Sequence, residues 1–148
     1  MRRPQLDEIT VSRLLAEWET ALVLGNTDKE GAINAMLAVW EQIPAPKLKW
    51  DMFGQLVSRD LVELYRDTGQ HAKAKEWLAI VNDAYNGDPH GRTMPFLSAT
   101  VYFAAGEWDD AYAKFDEAHR NGKYRAFKEE DPKYWEFFKA ERDKRAKK

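Results

Sequence analysis

The chain contains no cysteine. Disulfides, thiolate metal sites and a Cys nucleophile are therefore excluded, and the absence fits a reducing compartment. Long apolar runs are also missing; no stretch approaches the ~20 residues a membrane-spanning helix needs. Met1-Arg2-Arg3-Pro4 is basic, but Gln5, Asp7 and Glu8 stand where an apolar run would have to begin, so the start does not read as a secretory signal. Neither charge sign is in excess: 25 acidic residues face 23 basic ones. No whole-chain field then draws nucleic acid or an anionic membrane. Histidine is scarce, with three in all; none forms His-Glu-x-x-His and no two stand four apart on a helix. Gly-rich phosphate loops of the G-x-G-x-x-G or Walker type do not occur. These absences point to a soluble cytoplasmic protein with no metal, no cofactor and no catalytic residue.

What is present is core-forming material. Apolar residues make up 44% of 148, including six Trp, six Tyr and seven Phe. That is enough to bury a real core in one domain, 1–148, and argues against disorder. Almost every segment has helical period. Leu6, Ile9, Leu14, Trp18, Ala21 and Leu22 fall mostly three or four apart, and Gly25 then stops the helix. Thr27 or Asp28 caps the next, lined by Ala32, Met36, Val39, Trp40 and Ile43. Pro44-Ala45-Pro46 ends it as a stiff connector. A third helix runs from about Trp50 to Thr68 and a fourth from about Gln70 to Tyr85. After the loop Asn86-Gly87-Asp88-Pro89-His90-Gly91 a fifth runs to Ala105 and a sixth from Trp108 to about Arg120. Asp131-Pro132 reads as a cap followed by Pro at the first helical position, and opens a last helix that turns wholly polar.

Two stretches repeat one pattern. Tyr65 precedes Gly69 by four, and Ala74, Leu78 and Val81 follow that Gly by five, nine and twelve. Tyr102, Gly106, Ala111, Phe115 and Ala118 repeat the spacing 37 residues on. Small Ala at the first of these places lets two antiparallel helices touch. Ala32, Met36 and Val39 echo the spacing in the first half, with a turn two residues longer. On these residues, and on Gly106-Glu107-Trp108-Asp109-Asp110-Ala111 above all, the chain resembles tetratricopeptide repeat proteins, whose unit is about 34 residues. The likeness spans 60–121 strongly and 6–43 weakly. It departs where the family's first-helix Trp and Gly would stand, at Leu61 and Val62 and near Ser98 and Ala99. It implies an all-α, right-handed solenoid of about three hairpins (6–43, 50–86 and 93–121) with a capping helix over 131–146.

A second resemblance lies in the tail. Gly122-Lys123-Tyr124-Arg125-Ala126-Phe127-Lys128-Glu129-Glu130-Asp131-Pro132-Lys133-Tyr134-Trp135-Glu136-Phe137 is similar to the tail of small repeat proteins that serve as immunity partners of bacterial polymorphic toxins. Asp-Pro before an amphipathic helix is also ordinary capping chemistry.

Chemistry is thin. His71 matches the aromatic turn position of Trp108 and reads as packing. His119 reads as a partly exposed helix residue, and His90 as a loop residue whose neighbours Asp88 and Arg92 could support acid–base work. The basic residues of 139–148 are diluted by Glu141 and Asp143, so they read as a solvated helix end. The family resemblance implies that the first helix of each unit lines a concave groove. That groove would hold Arg59, Asp60, Glu63 and Arg66, and then Phe96, Thr100 and Phe103. The alternative for the aromatic pair is packing on the following helix. Arg59 and Glu63 stand where chaperone-binding members carry a Lys/Asn clamp, which disfavours that ligand. The expectation is a non-catalytic module whose partner is a protein, specifically a toxin domain, and neither nucleic acid nor membrane. A peptide-binding adaptor or co-chaperone is the second reading.

Overall fold

The computed structural model describes residues 5–50, 53–85 and 91–147. His90, with the rest of 86–90, and Met1-Arg2-Arg3-Pro4 lie outside the described residues. Among those described the chain is all-α, with seven helices, two short 3-10 turns and no strand. None of these helices is long and apolar enough to cross a membrane. The chain forms two compact units, Met1–Asn86 and Gly87–Lys148.

The first unit holds α1 (Glu8–Leu24), α2 (Lys29–Gln42), α3 (Phe53–Asp67) and α4 (His71–Ala84). Asp7 caps α1: its carboxylate accepts from the Thr10 amide at 2.9 Å and the Thr10 hydroxyl at 2.8 Å. Leu14 and Ala21 are fully buried, whereas Ile9 is 81% exposed. The Gln42 side-chain amide at the end of α2 donates to Glu17 of α1 at 2.7 Å. Gly25 ends α1 as its C-cap at φ −60°, and the Thr27 and Asp28 amides both bond to Leu24 O. Asp28, rather than Thr27, caps α2, accepting from the Gly31 amide at 2.9 Å. The Pro44–Pro46 connector leads into a 3-10 turn over Lys47–Lys49. Lys47 reaches back to donate to Trp40 O and Ile43 O, both at 2.8 Å, closing the last carbonyls of α2 with a cation. The core is mainly aliphatic, with Met36, Val39, Val57, Leu61, Val62 and Val81 at 1% exposure or less.

The turn between α3 and α4 shows the repeat at atomic detail. Gly69 sits at φ +77°, where a Cβ is disfavoured, and the Gln70 amide reaches back to Tyr65 O at 2.8 Å. The second unit repeats it between α5 (Thr93–Ala104) and α6 (Trp108–Gly122). Gly106 sits at φ +75°, and the Glu107 amide bonds to Tyr102 O at 2.9 Å. Ala74 and Ala111 are both fully buried. After α6 comes a 3-10 turn, Lys123–Ala126, and then α7 (Pro132–Ala146). Asp131 caps α7 through the Lys133 amide at 3.0 Å, with Pro132 at the first position as the sequence predicts. Only Tyr134 and Phe138 of α7 are buried. They close a core of Phe96, Phe115 and Phe127 whose rings meet at centroid distances of 5.2–5.7 Å.

Candidate functional site: a charged stripe on α3

Helix α3 turns Val57, Leu61 and Tyr65 into the core. The same period leaves Arg59, Glu63 and Arg66 on one flank, with Asp60 beside them. Arg59 Nε lies 3.7 Å from Glu63 Oε1, one helical turn away. Arg66 Nε lies 2.8 Å from Asp67 Oδ1. From α1 the Trp18 indole donates to Asp60 Oδ2 at 2.6 Å. The stripe is therefore built across two helices of the first unit.

Its electrostatics are those of charges drawn partly out of water. Burial pushes the Asp60 carboxyl above the ordinary carboxylate value, against the Trp18 hydrogen bond and the Arg59 charge, which pull it down. Burial likewise raises Glu63, opposed first by Arg66 and then by Arg59. The guanidiniums are not equally available. Arg59 keeps 40% of its side-chain exposure and Arg66 only 16%. Such an arrangement sets charges of both signs side by side on a partly buried flank, a pattern able to complement opposite charges on another surface.

The four sequence candidates on α3 are thus brought together. Those of the second unit are placed differently. Phe96 is 6% exposed and packs edge-on against Phe115, Phe127 and Tyr134. Thr100 is 2% exposed, and its hydroxyl donates to Leu97 O at 2.7 Å. Phe103 is half-buried, with the rings of Trp108, Tyr134 and Phe137 each 5.3 Å away. The physical reason is α7: it lays Tyr134 and Phe137 on α5 side chains that spacing alone leaves open to a groove. Trp18 is a site residue that the spacing hides, since its period marks it as part of an apolar stripe. The available signal is chemical: a half-buried indole N–H needs an acceptor.

Of the histidines, His71 is half-buried with Nδ1 enclosed and without a hydrogen-bond partner. His119 sits among Phe127, Trp135 and Phe138. Burial lowers its proton affinity, and Arg142 and Lys123 add to the effect. Among the described residues no group of three His, Asp or Glu side chains is set to hold a metal ion. The fold and the stripe together define an all-α protein of packed helix pairs, compatible with a helical repeat. No protein-family model, no curated protein and no solved structure matches the chain.

Proposed function

We propose that the chain is a non-catalytic protein-binding module of tetratricopeptide-like architecture, and specifically a bacterial immunity protein that occupies and neutralises a cognate toxin. The observation that carries the binding reading is the α3 stripe. Two guanidiniums and three carboxylates are joined by ion pairs, one of them hydrogen-bonded, and by the Trp18–Asp60 hydrogen bond, on a partly buried flank that core packing does not require. The immunity reading adds the tail resemblance over 122–137. Under the alternative, an adaptor or co-chaperone, the same stripe receives a linear peptide, and binding is weaker and confined to a short segment.

The test is a charge exchange. Arg59→Glu with Glu63→Arg keeps an ion pair one turn apart and inverts the pattern a partner meets. After co-purification of the partner from the native host, calorimetric titration should show binding weakened at least tenfold, or about 1.4 kcal/mol. Helical circular dichroism should be unchanged. Unchanged affinity in the folded exchange variant moves the interface off α3. A toxin partner gives one-to-one binding over a broad surface; an adaptor's affinity is reproduced by a synthetic peptide of the partner.

A further inference from the structure

The second unit has a cleft of about 560 Å³ where α6 gives way to its 3-10 turn. Arg92, Lys123, Arg125 and Lys128 line it, and among the described residues no carboxylate does. In a chain with more acids than bases, this is local segregation of one sign. Elsewhere among the described residues of the same unit four cations have a carboxylate partner, Lys114 with Glu117, Arg120 with Asp116, Lys133 with Asp131, and Arg145 with Asp109, while Lys139 and Lys144 stand singly along α7. Among the described residues none of the four cleft cations forms such a pair. Four like charges around one concavity repel each other unless an anion joins them.

The backbone around the cleft is unusual in a way that serves this arrangement. Gly122 would be the natural left-handed residue to end α6, but it sits at φ −129°. The left-handed position falls instead on Lys123, at φ 54°, where an L side chain is disfavoured. Gly122 lies close under Arg92: a Cβ there would fall 2.5 Å from Arg92 Cδ and 3.3 Å from Arg92 Cβ, and the Arg92 stem would have to shift. Its bareness lets the Arg92 stem lie over the helix end. The Asn121 amide donates to Gly91 O at 2.8 Å and fixes that approach. Both departures bring cations to the same rim. Tyr124, 50% exposed, stands on that rim in a T-shaped contact with Trp135 at 4.9 Å.

We propose that this cleft binds an oligophosphate through Arg92, Lys123, Arg125 and Lys128. Guanidiniums match phosphate oxygens in pairs, and the ammonium groups supply further point charges. The chemistry is shared by a free oligophosphate chain and by the phosphates of a nucleoside triphosphate. The site is independent of the α3 stripe and of the protein-binding reading.

Isothermal titration of the full chain with tripolyphosphate and with ATP, at fixed ionic strength, tests it. Arg125→Gln with Lys128→Gln should weaken tripolyphosphate binding at least tenfold while the circular dichroism melt is retained. Lys139→Gln with Lys144→Gln removes the same charge from α7 outside the cleft and should change affinity less than about twofold. ATP binding much tighter than tripolyphosphate, with Tyr124→Ala abolishing the difference, identifies a nucleoside triphosphate; equal binding identifies the free chain. If neither compound gives saturable binding, or if both double variants lose affinity alike, the proposal is overturned.

Discussion

Hairpin α3–α4 and hairpin α5–α6 make the same turn, with glycine at φ +77° and +75° and the same backward hydrogen bond to a tyrosine carbonyl. They also bury the same small residue, Ala74 in one and Ala111 in the other. What lies around the two hairpins differs. The first helix of the α3–α4 hairpin carries a charged flank, partly withdrawn from water and tied by Trp18 to α1. The first helix of the other carries Phe96, Thr100 and Phe103, all taken into packing. A repeat therefore fixes backbone and hairpin contact while leaving the flanking chemistry free. One copy can present a surface and the other can be sealed by a terminal helix.

The largest effect that would sharpen this contrast is at Phe138. It is fully buried and is, with Tyr134, one of the two α7 residues that are buried, flanked by the partly buried Trp135 and Phe137. Phe138→Ala should cost about 3–5 kcal/mol by chemical denaturation and release α7, uncovering Phe103. If stability is unchanged, α7 is not the seal. Next come the hairpin alanines. Ala111→Leu and Ala74→Leu each force extra methylenes into a closed helix contact and should each cost about 1–3 kcal/mol. Ala146→Leu, at the exposed end of α7, is the control. Widely unequal costs at Ala74 and Ala111 would break the equivalence of the two hairpins. Smaller again are the turn glycines. A Cβ at Gly69 or Gly106 meets nothing within 4 Å, so only the backbone conformation is penalised. Gly69→Ala and Gly106→Ala should therefore each lower stability by about 1 kcal/mol, and by similar amounts. A much greater loss at one would reveal a neighbour specific to that turn.

The turns and hairpin contacts are legible in the sequence because backbone rules act locally. Glycine four residues after tyrosine and alanine five beyond it leave few alternatives, and Asp131-Pro132 announces α7 for the same reason. Gly25 ends α1 where the spacing places the stop, and it does so at φ −60°, with the Thr27 and Asp28 amides both bonding to Leu24 O. The charged stripe can be read from spacing along one helix. Its anchor cannot, because Trp18 and Asp60 are 42 residues apart and meet only through the packing of α1 on its unit. Nor can the fate of Phe96 and Phe103. Two helices compete for an aromatic face, and sequence spacing does not say which one covers it.

The smallest predicted effect tests whether the α3 charges are held there against their own preference. Burial raises the folded pKa of Glu63 more than Arg66 and Arg59 lower it. From the ordinary carboxylate value, about 4, up to the raised one, the folded state then binds more protons than the unfolded chain. The Glu63 contribution to stability falls as pH rises through that window and levels off above it; Asp60 contributes in the same sense, and His119, whose proton affinity burial lowers, in the opposite one. Glu63→Gln removes one of the two titrations and keeps the shape of the neutral form. Arg59, 40% exposed, loses an ion pair of small worth. Melting curves at intervals from about pH 4 to 7 should therefore show a shallower decline in the variant. At neutral pH its midpoint should be no lower than that of the wild type. A lower neutral midpoint with the original slope would mean that the pairs with Arg66 and Arg59 outweigh burial. The stripe would then be a stabilising feature of the first unit, and the contrast with the aromatic unit would be one of packing material alone.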